Sequence, residues 1–265
     1  MSTYNGATFL HQQIDSIINQ TYTNWRLIIR DDGSSDATRT IIESYALSHP
    51  DKIIIVDKNT PNLGSTKSFE RLLDFVESDY FMFSDQDDIW CTDKIERTFN
   101  EMLRIEALYG KNVPLMVCTD AKCIDSDGKE ICESFFASQK FIDTTKNDIS
   151  LLALNVVQGS TTLMNKKVIE HVCPFPNHVQ HDQWIAVITA HYGKVSYLHE
   201  QLLLYRQHSH NVLGALNIGV SYFIHKVTNT KKQILIYFSF YKNLPFKPNV
   251  IKWCCLKVYY SLRRL

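Results

Sequence analysis

Apolar positions in the first 200 residues alternate between two periods. Leu10, Ile14, Ile17 and Ile18 fall at i, i+4, i+7 and i+8, one face of a helix. Residues Trp25 to Arg30 form a short apolar run that predicts a buried strand, and the polar turn from Asp31 to Asp36 leads into a helix carrying Ile41, Ile42 and Tyr45. Ile53 to Val56 predicts the next strand, Pro61-Asn62-Leu63-Gly64 a turn, and Phe69, Leu72, Leu73 and Val76 another helix face. Tyr80 to Phe83 predicts a strand that ends in Ser84-Asp85-Gln86-Asp87-Asp88. Strands and helices that alternate at this spacing imply βαβ units, hence an α/β fold with a mostly parallel sheet flanked by helices.

Beyond Asp93 the pattern predicts a helix from Lys94 to Tyr109 and a strand from Leu115 to Cys118. A polar stretch from Asp125 to Asp148 reads as loop and edge structure, Asp182 to His191 as a helix, and Val195 to Leu198 and Leu202 to Tyr205 as two strands. From about Ala215 the alternation stops. This divides the chain into a domain over residues 1–214 and a tail over 215–265.

Composition narrows the picture. A chain of 265 residues with 45% apolar and 21% charged residues suits one large domain, or one domain with an appendage. No internal repeat and no apolar run of the roughly 18 residues that a membrane span needs is present. Nothing at the start reads as a secretory leader, so a cytoplasmic location is expected. The zero net charge hides an asymmetry: every acidic residue lies at or before Glu200, whereas ten of the 28 Lys and Arg follow it. The seven Cys form no CxxC pair, which points to reduced thiols, mostly small core residues, rather than to a zinc ribbon.

Two acidic clusters carry the candidate chemistry. Asp31-Asp32-Gly33-Ser34-Ser35-Asp36 and Asp85-Gln86-Asp87-Asp88 each follow the end of a predicted strand. In a parallel sheet the carboxyl ends of the strands share one edge, where ligands bind, so the clusters should converge. Carboxylates at alternate positions of the second cluster can address one Mg²⁺ or Mn²⁺, with waters and phosphate oxygens completing the shell. Helix capping by Asp88 or Asp93, or by the first cluster, is the alternative.

In order and spacing, Thr3-Tyr4-Asn5-Gly6, Asp31 to Asp36, Asn62-Leu63-Gly64, Asp85-Gln86-Asp87-Asp88-Ile89-Trp90, Gly159-Ser160-Thr161, His181-Asp182-Gln183-Trp184 and Tyr205-Arg206-Gln207-His208 resemble the inverting family 2 glycosyltransferases of the GT-A, Rossmann-like fold. The match covers residues 2–212 and looks most like bacterial polysaccharide enzymes, rhamnosyltransferases among them. The resemblance implies transfer of a sugar from a UDP- or dTDP-sugar to a saccharide or lipid-linked saccharide acceptor in surface polysaccharide (O-antigen or capsule) synthesis. It implies that Thr3, Asp31, Asp32 and Asp85 line the nucleotide-sugar pocket, with Arg206 on the diphosphate. Asp87 is implied as the principal ligand of Mg²⁺ or Mn²⁺ and His208 as another, while Asp182 is the candidate general base. Gly159, Ser160 and Trp184 would lie on the acceptor side. His178-x-x-His181-Asp182 also reads as part of a zinc site, without a well-spaced third ligand.

The family begins with an apolar strand just before the equivalent of Thr3, so a start at Met1 implies that a central strand is missing. A non-catalytic nucleotide-sugar-binding remnant is therefore an alternative. A sugar nucleotidyltransferase is another, although the Gly-rich phosphate loop it needs is absent. Residues 216–265 hold nine Lys or Arg, ten aromatics and no acid. They read either as a basic helical extension packed on its own domain or as a contact with an anionic membrane at the inner face of the plasma membrane. Nucleic acid is the weaker partner, since no recognised module is present and the acidic body would repel phosphates.

Overall fold

The computed structural model describes residues 1–57, 61–208 and 240–264. Its strands and helices run in chain order: β1 (Ser2–Thr3), α1 (Leu10–Ile18), β2 (Leu27–Asp31), α2 (Thr38–Ser48), β3 (Ile53–Val56), α3 (Ser65–Leu73), β4 (Tyr80–Met82), β5 (Ile89–Trp90) and α4 (Lys94–Tyr109). Then come β6 (Leu115–Ile124), β7 (Glu130–Cys132), α5 (Phe135–Ser138), α6 (Asp148–Ala153), β8 (Thr162–Asn165), α7 (Ile169–Val172), α8 (His181–Tyr192), β9 (Lys194–Arg206) and α9 (Val250–Arg263).

The strands form two sheets. β1, β2 and β3 pair in parallel, with Ser2 opposite Arg30 and Leu27 opposite Ile53. The second sheet runs in the order β4-β8-β6-β9-β5, with β7 hairpinned onto β6. Here only β6 and β9 are parallel, while β4–β8, β6–β8 and β5–β9 are antiparallel. Parallel pairing thus joins β1 to β3 and recurs between β6 and β9, while β4, before Asp93, already pairs antiparallel. A cavity of about 670 Å³ lies between the sheets, bounded by Leu27 and Ile28 of β2 and by Tyr80 to Phe83.

Helices cover both sheets by their apolar faces. Leu10, Ile14 and Ile17 of α1 and Ile42 of α2 pack on Leu27, Ile29 and Ile53. Met102 and Ile105 of α4 pack on Leu115, Val117 and Leu163. The largest cluster joins Phe69 of α3, Phe83, Met116, Leu151 of α6 and Ile185 of α8. The α1 and α4 spans and β3 agree with the sequence pattern. The two strands expected between Val195 and Tyr205 are instead one strand, β9, whose polar middle is absorbed by register shifts against β6 around Asp120.

The tail and the thiols also differ from expectation. Residues 216–239 lie outside the described residues. The final helix α9 is capped by the Asn249 side chain, which accepts from Lys252 N at 3.0 Å. It packs on α6: Tyr260 Oη lies 3.1 Å from Ser150 Oγ, and Trp253 Nε1 donates to the Leu152 carbonyl at 3.4 Å. Cys123 and Cys132 form a disulfide across the β6–β7 hairpin, their Cα atoms 4.8 Å apart. Cys173, Cys254 and Cys255 are exposed free thiols, so the expectation of reduced core cysteines holds only for Cys118 and the half-buried Cys91.

Candidate active site

The segment from Thr3 to Gly6 stitches the two acidic clusters together. Leaving β1, it passes the end of β2 on one side and the loop after β4 on the other. The Thr3 hydroxyl donates to Asp31 Oδ1 at 3.0 Å, Asn5 N donates to Ser34 Oγ at 2.9 Å, and Ser35 N returns to Asn5 Oδ1 at 2.8 Å. On the other side Tyr4 N donates to Gln86 Oε1 at 2.7 Å and Gln86 Nε2 to Tyr4 O at 3.0 Å. A side chain at position 6 would collide with Gln86, its Cβ only 2.2 Å from Oε1, so glycine permits the close approach. In the sequence Gln86 stands out only as part of a cluster; its clamp on Tyr4 is a long-range contact with no local signal.

The first cluster is held by internal bonds. Asp31 accepts from Thr3, Ser34 N (2.9 Å) and Arg39 Nε (2.9 Å). Burial alone would raise its carboxyl, but the bonds from Ser34, Arg39 and Thr3 outweigh that and hold it below the usual carboxylate range. Asp32 is buried and accepts from Arg30 Nη1 (2.6 Å), Leu63 N (2.8 Å) and Gly64 N (2.8 Å). Its oxygens anchor the Asn62-Leu63-Gly64 turn. Gly64 adopts φ +78°, a left-handed conformation that glycine accepts freely.

The second cluster carries unbalanced negative charge. Burial, then the charges of Asp87 and Asp182, push the Asp85 carboxyl up to about 7. Asp88 is also driven well above its ordinary value by burial and by Asp87 and Asp85, although Arg206 N donates to it at 3.2 Å. Neither Asp88 nor Asp93 caps α4 through its side chain: Asp93 occupies the cap position without a capping bond, and Asp88 is fully buried ahead of it. Asp87 pairs with His208 Nε2 at 2.9 Å, both side chains keep partial access to solvent, and the His208 ring stacks on Phe9.

A carboxylate and an imidazole side by side, among acids that repel one another, fit a divalent cation. Among the described residues no set of three His, Cys, Asp or Glu converges, so the protein would supply Asp87 and His208 and leave the remaining positions to other oxygens. The zinc reading at His178 and His181 finds no third ligand among the described residues, and the His181 ring packs against Phe69 and Phe83.

Asp182 sits in the first turn of α8, whose cap position is Gln180, so it is not a cap. Gln183 N donates to it at 2.6 Å, yet burial pushes the carboxyl up to about 6. Its charge is felt at Asp85. Gly159 backs the same spot: a Cβ there would stand 3.0 Å from His181 Nε2 and 3.8 Å from the Asp182 Cβ.

Three of the expected contact residues are buried with partners of their own. Arg206 is 1% exposed, and its guanidinium is spent on the Asp87 carbonyl (2.9 Å), the Asp125 and Ser126 carbonyls (3.2 Å each) and Gln12 Oε1 (2.6 Å), over the Phe9 ring. These bonds brace the Asp87 loop. Trp184 is 4% exposed, packs in the largest core cluster and donates its indole N–H to Val172 O at 2.8 Å. Ser160 is buried, and its carbonyl accepts the ammonium of Lys94.

Lys94 belongs to none of the sequence motifs. It is wholly buried at the start of α4, its ammonium 4.0 Å from the Trp90 ring centroid. Burial lowers its pKa to about 7 against the opposing pull of Asp88. A single base six residues after an acidic cluster is the signal the sequence offers.

Comparison with known proteins agrees with this geometry. Residues 1–173 match the model of glycosyl transferase family 2. The chain is similar to the dTDP-rhamnosyl transferase RfbG of Shigella flexneri, 29% identical over 227 residues that cover 81% of this chain and 74% of that one. It is 30% identical over 186 residues to an uncharacterized glycosyltransferase of Haemophilus influenzae, covering 69% of this chain and 67% of that one. A Rickettsia bellii glycosyltransferase is matched at 27% identity over 82% of this chain but only 30% of its own length. Among solved structures, S. aureus TarS 1-349 in complex with UDP-GlcNAc superposes with a TM-score of 0.63 at 14% identity, over 99% of this chain and 70% of that one. The mannosyltransferase PcManGT from Pyrobaculum calidifontis, in complex with GDP-Man and Mn²⁺, gives 0.62 at 16%, over 99% and 69%. These likenesses establish the GT-A fold, and with the family model matching well over half its length, the chain belongs to glycosyl transferase family 2.

Proposed function

We propose that the chain transfers a sugar, rhamnose or a related hexose, from a dTDP- or UDP-sugar to a saccharide or lipid-linked saccharide acceptor, with inversion, in surface polysaccharide assembly. Residues 1–214 would be the catalytic unit. The observation that carries this reading is the Asp182 carboxyl in the first turn of α8 beside Gly159, raised to about 6 by burial and felt electrostatically at Asp85. A carboxylate of that basicity is still ionised at neutral pH and takes a proton more readily than an exposed aspartate.

In the proposed step Asp182 accepts the proton of an acceptor hydroxyl. The oxygen's electron pair forms the new bond to the anomeric carbon as the bond to the nucleoside diphosphate breaks. Thr3 and Asp31 would position the nucleoside, and Gly159 would leave room for the acceptor beside Asp182. A divalent cation held by Asp87 and His208 would supply Lewis-acid stabilisation of the departing diphosphate. Arg206 would keep Asp87 in place through its carbonyl.

The similarity to RfbG supports a dTDP-linked deoxyhexose donor. The test is nucleoside diphosphate release from a panel of dTDP-, UDP- and GDP-sugars with Mg²⁺ or Mn²⁺, in the wild type and in Asp87→Ala. Release from one donor, dependent on the cation and lost in the variant, is expected. Release that survives in Asp87→Ala or without any divalent ion would overturn the assignment.

A further inference from the structure

The helix α9 presents two unlike faces. Trp253, Tyr260 and Arg264 turn inward: Trp253 and Tyr260 bond to α6, and Arg264 Nε donates to Gln139 O at 2.8 Å. These contacts fix the rotation of the helix about its axis. The opposite face is then committed to the outside, and it is apolar: Ile251 is 76% exposed, Val258 60% and Leu262 63%, with the exposed thiols of Cys254 and Cys255 between them. The spacing i, i+3, i+4, i+7, i+11 puts all five on one stripe. The exposed Lys252 and Arg263 border it, and no acidic residue occurs anywhere after Glu200.

We propose that this stripe is a docking surface for an anionic lipid bilayer, on which α9 lies in the plane of the interface. Charge complementarity selects the occupant. An apolar stripe flanked by cations and free of anions matches the boundary between acyl chains and negative headgroups. Among the described residues no helix is long and apolar enough to cross a membrane, so α9 lies on the bilayer rather than through it.

The placement has a consequence for the site. The Leu152 carbonyl that receives the Trp253 indole also receives Gln183 Nε2 at 3.3 Å, and Gln183 is the neighbour of Asp182. The thickness of α9 and the short helix α6 thus lie between the lipid-facing stripe and the proposed acceptor side. Docking would hold the transferase at the same surface as a lipid-linked acceptor. That purpose rests on the proposed function; the docking itself does not.

The test is co-sedimentation of the full chain with phosphatidylglycerol–phosphatidylcholine vesicles and with pure phosphatidylcholine vesicles. Binding to the anionic vesicles that weakens with added salt is expected. The double variant Val258→Glu/Leu262→Glu should lose roughly tenfold or more in binding. Lys252→Glu/Arg263→Glu should lose about fivefold per residue. Both pairs are exposed, so circular dichroism and donor hydrolysis without vesicles should stay at wild-type values, which separates this test from that of the transferase reading. Equal binding by wild type and the Val258/Leu262 variant would overturn the proposal. So would a wild-type dimer that ignores vesicles and dissociates in that variant, because the stripe would then be an interface between two copies.

Discussion

Asp182 holds a negative charge where burial resists it, and that conflict has two measurable signs. Its folded-state pKa of about 6 lies above the ordinary aspartate value. Between those two pH values the unfolded chain ionises first, so this group lowers stability progressively as pH rises, and the full penalty is present above about 6. Asp182→Asn should therefore be at least as stable as wild type at neutral pH, by up to roughly 1–2 kcal/mol, with the gap closing in acid. The same variant should lose about 10²–10⁴-fold in turnover. Wild-type kcat/KM should fall as pH drops through about 6. A variant less stable than wild type at neutral pH would mean that the carboxylate is structural.

Arg206 makes the opposite case. Its guanidinium reaches four acceptors on three segments, which a single ammonium cannot do. Arg206→Lys should cost about 2–4 kcal/mol in urea unfolding. Unchanged stability with only a weakened donor KM would restore the diphosphate role. The acids are legible in the sequence because a run of Asp directly after an apolar strand seldom serves packing alone. The buried uses of Arg206, Asp32 and Trp184 are not, because a polar residue at a strand or helix end looks the same in sequence whether its partners come from solvent or from distant carbonyls.

Among the elements, legibility follows locality. The α1, α4 and β3 spans are readable because their apolar periods are unbroken. The sequence splits β9 into two strands because His199, Glu200 and Gln201 interrupt its apolar run, yet pairing on two sides carries the backbone through. The antiparallel union of β4 with β8, some eighty positions apart, leaves no local trace. The turn that leads into α3 is held by Asp32. Its Gly64 stands at φ +78° with open space around the missing Cβ, so substitution brings backbone strain without a clash. Gly64→Ala should lower stability by about 1 kcal/mol, a melting shift of roughly 2–4 °C for a chain of this size. No shift would mean that the turn relaxes and that Asp32 does not hold it.

Across the molecule, the acidic body and the basic end divide the work. The Thr3–Gly6 segment ties the loop after β2 to the loop after β4, where Asp87 pairs with His208 and the Asp85 carboxyl feels the charges of Asp87 and Asp182. The end of the chain returns as α9 to pack on α6. The proposed chemistry turns on one carboxylate, Asp182, acting as base in a single displacement. It can be observed directly by proton NMR of the sugar released when water replaces the acceptor, recorded on the preferred donor before the anomers equilibrate. The first anomer to appear should be inverted relative to the donor, and its formation should be lost in Asp182→Asn. A first product with the donor's own configuration would contradict a single displacement, because retention requires a nucleophile that this arrangement does not assign.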